Sequence, residues 1–126
     1  MAKALLVGGH PKGYPEPFSP NTMSGRRLRK IVPNLEIDVE YFDLWENEEQ
    51  EQIGYVLTSA INKLIAAHSD GRVIVALGHR VYNTLVQCPL LANIPIVYLP
   101  HPAARNITHL QRLRNGLADI AKRKTP

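Results

Sequence analysis

Hydrophobic and polar positions along the chain follow two periods, which predict strands and helices in turn. Residues 3–9 and 72–78 are continuous apolar runs, typical of buried strands in a parallel sheet. In residues 36–43 apolar and acidic positions alternate, which predicts a strand with one exposed face near a sheet edge. Residues 94–99 predict a fourth strand.

Residues that favour helix ends mark the first and last predicted helices. Asn21 or Thr22 can cap the first helix, and Pro33 ends it. Thr108, followed three residues later by Gln111, has the spacing of a capping box for the last helix.

The middle of the chain predicts two further helices. Residues 46–68 predict the longest one, because apolar side chains from Ile53 to Ile65 recur at spacings of three and four. The acidic run in its first turns complements the helix dipole, so we assign no metal to that run. Residues 79–87 predict a short helix.

The resulting order alternates strand and helix four times. Such alternation predicts an α/β fold, a three-layer α/β/α domain with a four-stranded parallel sheet. We expect a single domain over residues 1–126.

Composition excludes some classes of protein. The chain has 126 residues, 44% of them hydrophobic and 21% charged, as in an ordinary globular domain. No apolar run approaches the roughly 18 residues that cross a bilayer, and we interpret the first residues as a strand rather than a signal peptide. A single cysteine, Cys88, cannot form an internal disulfide or a cysteine metal site. We therefore expect a cytoplasmic protein without a membrane span.

Charge is strongly segregated along the chain, although the formal net charge is only +4. Residues 1–35 carry a net charge of +5, residues 36–70 of −8 and residues 71–126 of +7. If the two basic segments share a face, that face attracts phosphates. Charge alone leaves open the alternative of a solvated surface with the acidic segment as internal counter-charge.

Two of the loops that follow predicted strands each carry a His-Pro dipeptide. Ligands of parallel sheets bind beyond the carboxyl ends of the strands, which is where His10 and His101 fall. The proline after each histidine stiffens the loop, so both are candidate functional residues. The alternative is that each ring bonds only to groups of its own loop.

Several familiar sites are absent from the sequence. It holds no phosphate-binding Gly-x-x-x-x-Gly-Lys-Ser/Thr motif, no dinucleotide fingerprint and no Gly-x-Ser-x-Gly elbow. No His, Cys and carboxylate group has the spacing of a metal site. We therefore predict neither a metal nor a cofactor.

Short pieces of sequence at three predicted strand ends form a recognisable set. Residues 8–11 read Gly-Gly-His-Pro and are followed by a Ser-Gly-Arg-Arg-Leu helix start at residues 24–28. Residues 75–78 read Val-Ala-Leu-Gly, and residues 101–103 read His-Pro-Ala. Together they resemble the Gly-x-x-Pro, Gly-x-x-Leu, Ala-Leu-Gly and His-Pro-Ser motifs of the uracil-DNA glycosylase superfamily. The likeness covers nearly the whole chain and implies a fold of that type.

The resemblance implies that the protein hydrolyses the N-glycosidic bond of a base flipped out of single- or double-stranded DNA. His101 would donate a hydrogen bond to the leaving base, on which negative charge develops in the transition state. His10 is a departure from the family pattern: a neutral His10 could orient the attacking water, whereas a cationic His10 would repel the oxocarbenium-like sugar.

The resemblance also implies residues that bind DNA. Phe18 would stack on the flipped base, and Asp43 or Asn47 would read its edge. The residues expected to hold phosphates are Lys12, Gly78, Arg105 and Asn106, and the basic side chains of residues 26–30 could extend that footprint.

Two departures from the family pattern bear on the substrate. Active members place Asp, Glu or Asn within the first motif, where this chain has Gly9 and His10. They end the second strand with an Asn, where this chain has Asp43. An ionised Asp accepts hydrogen bonds only, so it suits an exocyclic amino group better than the O4 of uracil. These departures count against classical excision of uracil, and the expected substrate class is a modified or deaminated base; the alternative for Asp43 is a helix cap.

Three hypotheses remain open from the sequence. The protein is an active glycosylase with altered base preference, a catalytically inactive member that binds DNA or a protein, or an unrelated enzyme acting on a small phosphorylated substrate. The first depends on one geometric expectation: the loops after the first and fourth strands meet at one rim of the sheet and enclose a pocket sized for a nucleobase.

Overall fold

The computed structural model describes residues 1–10, 13–14 and 16–122. Its strands are β1 (Ala2–Gly8), β2 (Ile37–Asp43), β3 (Val73–Leu77) and β4 (Ile96–Leu99). Its α-helices are α1 (Met23–Ile31), α2 (Glu48–Ile53), α3 (Thr58–Ser69), α4 (His79–Val86) and α5 (Ile107–Ala121). In these ranges no helix is both long and apolar enough to cross a membrane.

The four strands form one parallel sheet in the order β2-β1-β3-β4. The sheet confirms the predicted strands, and β2 is an edge strand, as its alternating pattern predicts. With helices between the strands, the architecture is α/β.

Two hydrophobic clusters lie on opposite faces of the sheet, because successive residues of a strand point to opposite sides. Leu5 and Val7 of β1 pack with residues of α3 and α4. Ala4 and Leu6 pack with residues of α1 and α5. Helices therefore cover both faces, which is compatible with a three-layer α/β/α arrangement.

The predicted helix over residues 46–68 is wrong, because the segment contains two helices. Gly54 adopts a left-handed conformation, with φ of +76°, and its N–H donates to the carbonyl of Gln50, which ends α2. Ile53, placed in the predicted core stripe, is 79% exposed as a result. The helix that results, α2, is only six residues long.

The N-terminal cap of α1 is the predicted one, whereas the N-terminal caps of α5 and α2 differ from the prediction. Thr22 accepts from the N–H of Gly25 and caps α1, as predicted. The last helix begins earlier than the predicted capping box, since Asn106 accepts from the N–H of Thr108. Asn47 likewise caps α2 by accepting from Gln50.

Candidate functional site

A cavity of about 320 Å³ lies at the carboxyl ends of the strands, where the loops after β1 and β4 meet. This volume is at the lower end of the range of small-molecule sites. The geometric expectation that the two loops converge is confirmed. The residues that line the cavity are Gly9, His10, Phe18, Thr22, Ser24, Asp43, Glu51, Leu77, Gly78, His79, Arg80, Val81 and His101.

His101 follows β4 and is fixed by its own loop. Its Nδ1 accepts a hydrogen bond from the backbone N–H of Ala103 at 3.0 Å. A ring nitrogen that accepts carries no proton, so the proton of the neutral ring lies on Nε2. His101 is therefore set as a hydrogen-bond donor through Nε2.

Arg27 of α1 holds the loop that carries His101. Its Nη1 donates to the carbonyl oxygens of Pro102 and Ala104, both at 2.8 Å. Arg27 is one of the basic residues expected to extend the phosphate footprint, but its guanidinium is committed to backbone carbonyls. Because guanidinium bonds to carbonyls are charge-assisted, Arg27 stiffens the turn around His101.

His10 follows β1 and has a different partner. Its Nδ1 lies 3.2 Å from Oε1 of Glu51, a residue of α2. A carboxylate only accepts hydrogen bonds, so this contact places a proton on Nδ1 and leaves Nε2 as an acceptor in the neutral ring. His10 and His101 are thus held in opposite tautomers at the same cavity.

Phe18 supplies an aromatic wall. Its ring is only 8% exposed, and its centroid lies 5.8 Å from that of Tyr41 in a tilted arrangement. Its backbone has a positive φ of 49°, and a Cβ on Gly8 would collide with its ring. The absence of a side chain at Gly8 therefore lets the Phe18 ring pack over the end of β1. There the ring belongs to a hydrophobic core cluster and also lines the cavity.

Asp43 is the last residue of β2 and a half-buried acid of the cavity. Burial raises its pKa to about 6, and the nearby His10 opposes that shift. Its Oδ2 is buried without a hydrogen-bond partner among the described residues. Asp43 does not cap the following helix, which Asn47 caps instead.

The N-terminus of α4 lines the far side of the cavity. Gly78 has a φ of +99°, which favours glycine, and no side chain caps the helix there. The first N–H groups of a helix have no partner within it and attract anions or carbonyl oxygens. His79 is fixed nearby, because its ring stacks on Tyr98 at 4.5 Å and its Nε2 bonds to the hydroxyl of that tyrosine at 3.0 Å.

Sequence reasoning placed some residues in the site that do not line the cavity. Asn47 and Asn106 are exposed caps of α2 and α5, because a short polar side chain before a helix bonds to the free N–H groups of its first turn. Arg105 is exposed outside the cavity wall. Lys12 lies outside the described residues.

Two charged residues that line the cavity, Glu51 and Arg80, were not predicted from the sequence. Glu51 belongs to the acidic run that the helix dipole explains, and nothing local distinguishes it from its neighbours. Arg27 was predicted in a different role, as one of four basic residues of α1 that could bind phosphates. The structure alone connects Glu51 to Gly9, where a Cβ would collide with the Glu51 carboxylate.

Chemically, the cavity offers an aromatic face, a half-buried acid, one histidine set as a donor and one set as an acceptor. Among the described residues, no group of three or more His, Cys, Asp or Glu side chains is arranged to hold a metal ion. No protein-family model, curated protein or solved structure matches the chain significantly.

Proposed function

We propose that the chain is a compact uracil-DNA glycosylase-like domain that hydrolyses the N-glycosidic bond of a base flipped out of DNA. The observation that carries the proposal is the convergence of His10, Phe18, Asp43 and His101 on one cavity. An aromatic face, a hydrogen-bonding group for a base edge and a donor for the leaving group are what such a reaction requires.

His101 stabilises the departing base. As the bond to the sugar breaks, its electron pair moves onto the base, and a neutral Nε2–H donor offsets the developing charge. A preorganised donor accelerates the step because this charge is absent from the ground state. The bonds from Ala103 to His101 and from Arg27 to the surrounding turn preorganise that donor.

Asp43 selects the base. Its unpartnered buried oxygen needs a hydrogen-bond donor, and at neutral pH the group is mainly ionised because its pKa is about 6. An exocyclic amino group, as on cytosine or a modified cytosine, supplies that donor. The O4 of uracil would instead face an acceptor. We infer that the preferred base carries an amino group.

The charge distribution favours a DNA partner. Helices α1 and α5 cover the same face of the sheet. Both carry exposed basic side chains: Arg26, Arg29, Lys30, Arg112 and Arg114. The N-terminus of α1, with Thr22 and Ser24, also borders the cavity. A helical layer with several exposed cations, one helix of which begins at the cavity, suits a phosphate backbone.

The test is a panel of single-stranded and duplex oligonucleotides that carry uracil, modified cytosines or deaminated purines. Formation of abasic sites is measured for the wild type and for His101→Ala and His10→Ala. We expect product with an amino-bearing base and its loss in both variants. Activity that is unchanged in His101→Ala would contradict the leaving-group role. Salt-dependent DNA binding without any product would favour the inactive binding protein instead.

A further inference from the structure

The contact between His10 and Glu51 joins two segments that are 41 residues apart. The two side chains are 17% and 22% exposed, so the pair is largely shielded from water. A second bond holds the carboxylate, because Nη1 of Arg80 lies 3.5 Å from its Oε2. All three side chains line the cavity.

Backbone hydrogen bonds and close packing at Gly9 support the contact between His10 and Glu51. The N–H groups of Leu44 and Trp45 donate to the carbonyls of Gly8 and Gly9, both at 2.9 Å, which ties the chain after β2 to the loop that carries His10. The Glu51 carboxylate lies directly against Gly9, at a place where any Cβ would collide with it. The absence of a side chain at Gly9 therefore leaves the space that the Glu51 carboxylate occupies beside His10.

We propose that Glu51 is a positioning residue that holds His10 in the tautomer whose Nε2 accepts a proton from the attacking water. The inference rests on the proposed function and adds a group that lies outside the motifs of the resemblance. In the neutral ring, the proton bonded to Glu51 occupies Nδ1, and the lone pair of Nε2 remains available.

Glu51 also resolves an electrostatic difficulty of a histidine at this place. The sugar becomes cationic as the base leaves, and a lone imidazolium beside it would repel that charge. With Glu51 attached, the pair carries one negative charge before proton transfer and none afterwards. Arg80, which also binds the Glu51 carboxylate, adds one positive charge, and the ionised Asp43 beside His10 adds one negative charge. The four groups together therefore change from a net charge of −1 to 0 when His10 takes the proton.

The proton and electron balance of the step is complete with water alone. The bond between the sugar C1′ and the base nitrogen breaks, and its electron pair leaves with the base. The water oxygen forms the new bond to C1′, and one water proton moves to Nε2 of His10. That proton passes to the departed base through solvent, which regenerates neutral His10.

Glu51→Gln is an informative variant because Arg80 favours one orientation of the new amide. The guanidinium only donates, so the orientation that keeps the Arg80 contact turns the amide oxygen to Arg80 and the amide NH₂ to His10. The NH₂ donates to Nδ1 and moves the ring proton to Nε2, the wrong tautomer for a base. Glu51→Ala removes the acceptor altogether. Glu49→Gln makes the same charge change on an exposed residue of α2.

The experiment has two readouts on the whole chain. Ring ¹⁵N chemical shifts at about pH 8, without DNA, report the tautomer of His10. Single-turnover formation of abasic sites reports the rate. We expect the proton on Nδ1 in the wild type and in Glu49→Gln, and a shift toward Nε2 in both Glu51 variants. The rate should fall by about 10- to 100-fold in Glu51→Gln and remain unchanged in Glu49→Gln.

The two readouts separate failure of this inference from failure of the proposed function. A His10 ring with its proton on Nε2 in the wild type, or a tautomer unchanged in both Glu51 variants, overturns the role of Glu51 whatever the activity. An unchanged rate in Glu51→Gln on a substrate that the wild type cleaves also overturns it. The expected tautomers without product on any oligonucleotide support the positioning of His10 and count against the glycosidic reaction.

Discussion

The loops after β1 and β4 look alike in sequence but set their histidines in opposite ways. In the later loop, His101 accepts at Nδ1 from Ala103, two residues away. In the earlier loop, His10 donates from Nδ1 to Glu51, which lies 41 residues away on another helix. A ring nitrogen takes its role from its partner, so the same dipeptide yields a donor in one loop and an acceptor in the other.

The two loops also differ in the contacts that hold them in place. The His101 turn is fastened by Arg27, whose guanidinium binds two of its carbonyls. The His10 side is fastened by backbone bonds from Leu44 and Trp45, and by the carboxylate of Glu51 against Gly9. The hydrogen-bonding role of the histidine in a His-Pro loop therefore depends on the partner that the surrounding fold places beside its ring.

The largest effect is expected from removing the donor of the later loop. His101→Ala should lower the single-turnover rate of base release by about 10²- to 10³-fold, the usual cost of losing one oxyanion donor. The rate is measured on the best substrate of the oligonucleotide panel. His68→Ala, at an exposed site at the end of α3, is the matched control and should have no effect. Equal losses in the two variants would contradict the assignment.

A second prediction concerns the hydrogen bonds from Arg27 that hold the loop after β4. Arg27→Ala removes two charge-assisted bonds and should lower the free energy of unfolding by about 2 kcal/mol. The change is measured by urea unfolding. Arg26→Ala, on the exposed side of α1, should change it by no more than about 0.5 kcal/mol. If the two variants are equally stable, Arg27 does not fasten the turn.

A third prediction concerns the acid beside His10. Because burial raises the pKa of Asp43 from 3.8 to about 6, its ionisation opposes folding above pH 6 and no longer does so below about pH 4. Asp43→Asn should therefore raise stability at pH 8 by about 1–2 kcal/mol, the smaller end reflecting the partial exposure of the group. The gain should disappear as the pH falls from 6 to 4.

The measurement for Asp43 is urea unfolding of both proteins across that pH range. Asp119→Asn, at an exposed position of α5, should give no such pH-dependent gain. A gain for Asp43→Asn that persists at pH 4 would contradict the account. The same variant should also shift base preference toward uracil, because an amide can donate to O4.

The smallest predicted effect concerns the loop after β1. Gly9→Ala places a methyl group against the Glu51 carboxylate, the end of a flexible side chain that can swing away. We expect the rate to fall by about tenfold, or about 1.4 kcal/mol, with little change in stability. Because the variant acts through Glu51, adding it to Glu51→Gln should cause no further loss. A full additional tenfold loss in the double variant would show that Gly9 acts by another route.

The sequence predicted the fold well where local patterns decide it. The apolar runs of β1 after Lys3 and of β3 are buried on both faces and are continuous in the sequence. The single helix predicted over residues 46–68 failed because the apolar spacing continues past Gly54, while the backbone turns left-handed there. A period in the side chains does not reveal that a glycine has ended the helix.

Only those site residues that follow from local sequence patterns could be predicted. His10, Phe18, Asp43, Gly78 and His101 all line the cavity, because each follows or ends a strand of a parallel sheet. Asn47 and Asn106 were misplaced because the same short polar side chains serve as helix caps. The partner of His10 depends on how α2 packs against the first loop, and no pattern near either residue encodes it.

The most direct test of the contrast is one long-range ¹H–¹⁵N spectrum of the histidine rings in the wild-type protein at about pH 8. His10→Gln and His101→Gln spectra assign the signals. We predict a protonated Nδ1 with an unprotonated Nε2 for His10, and the reverse for His101. Two rings in the same tautomer would contradict the account, because the fold would then not divide donor and acceptor between the two loops.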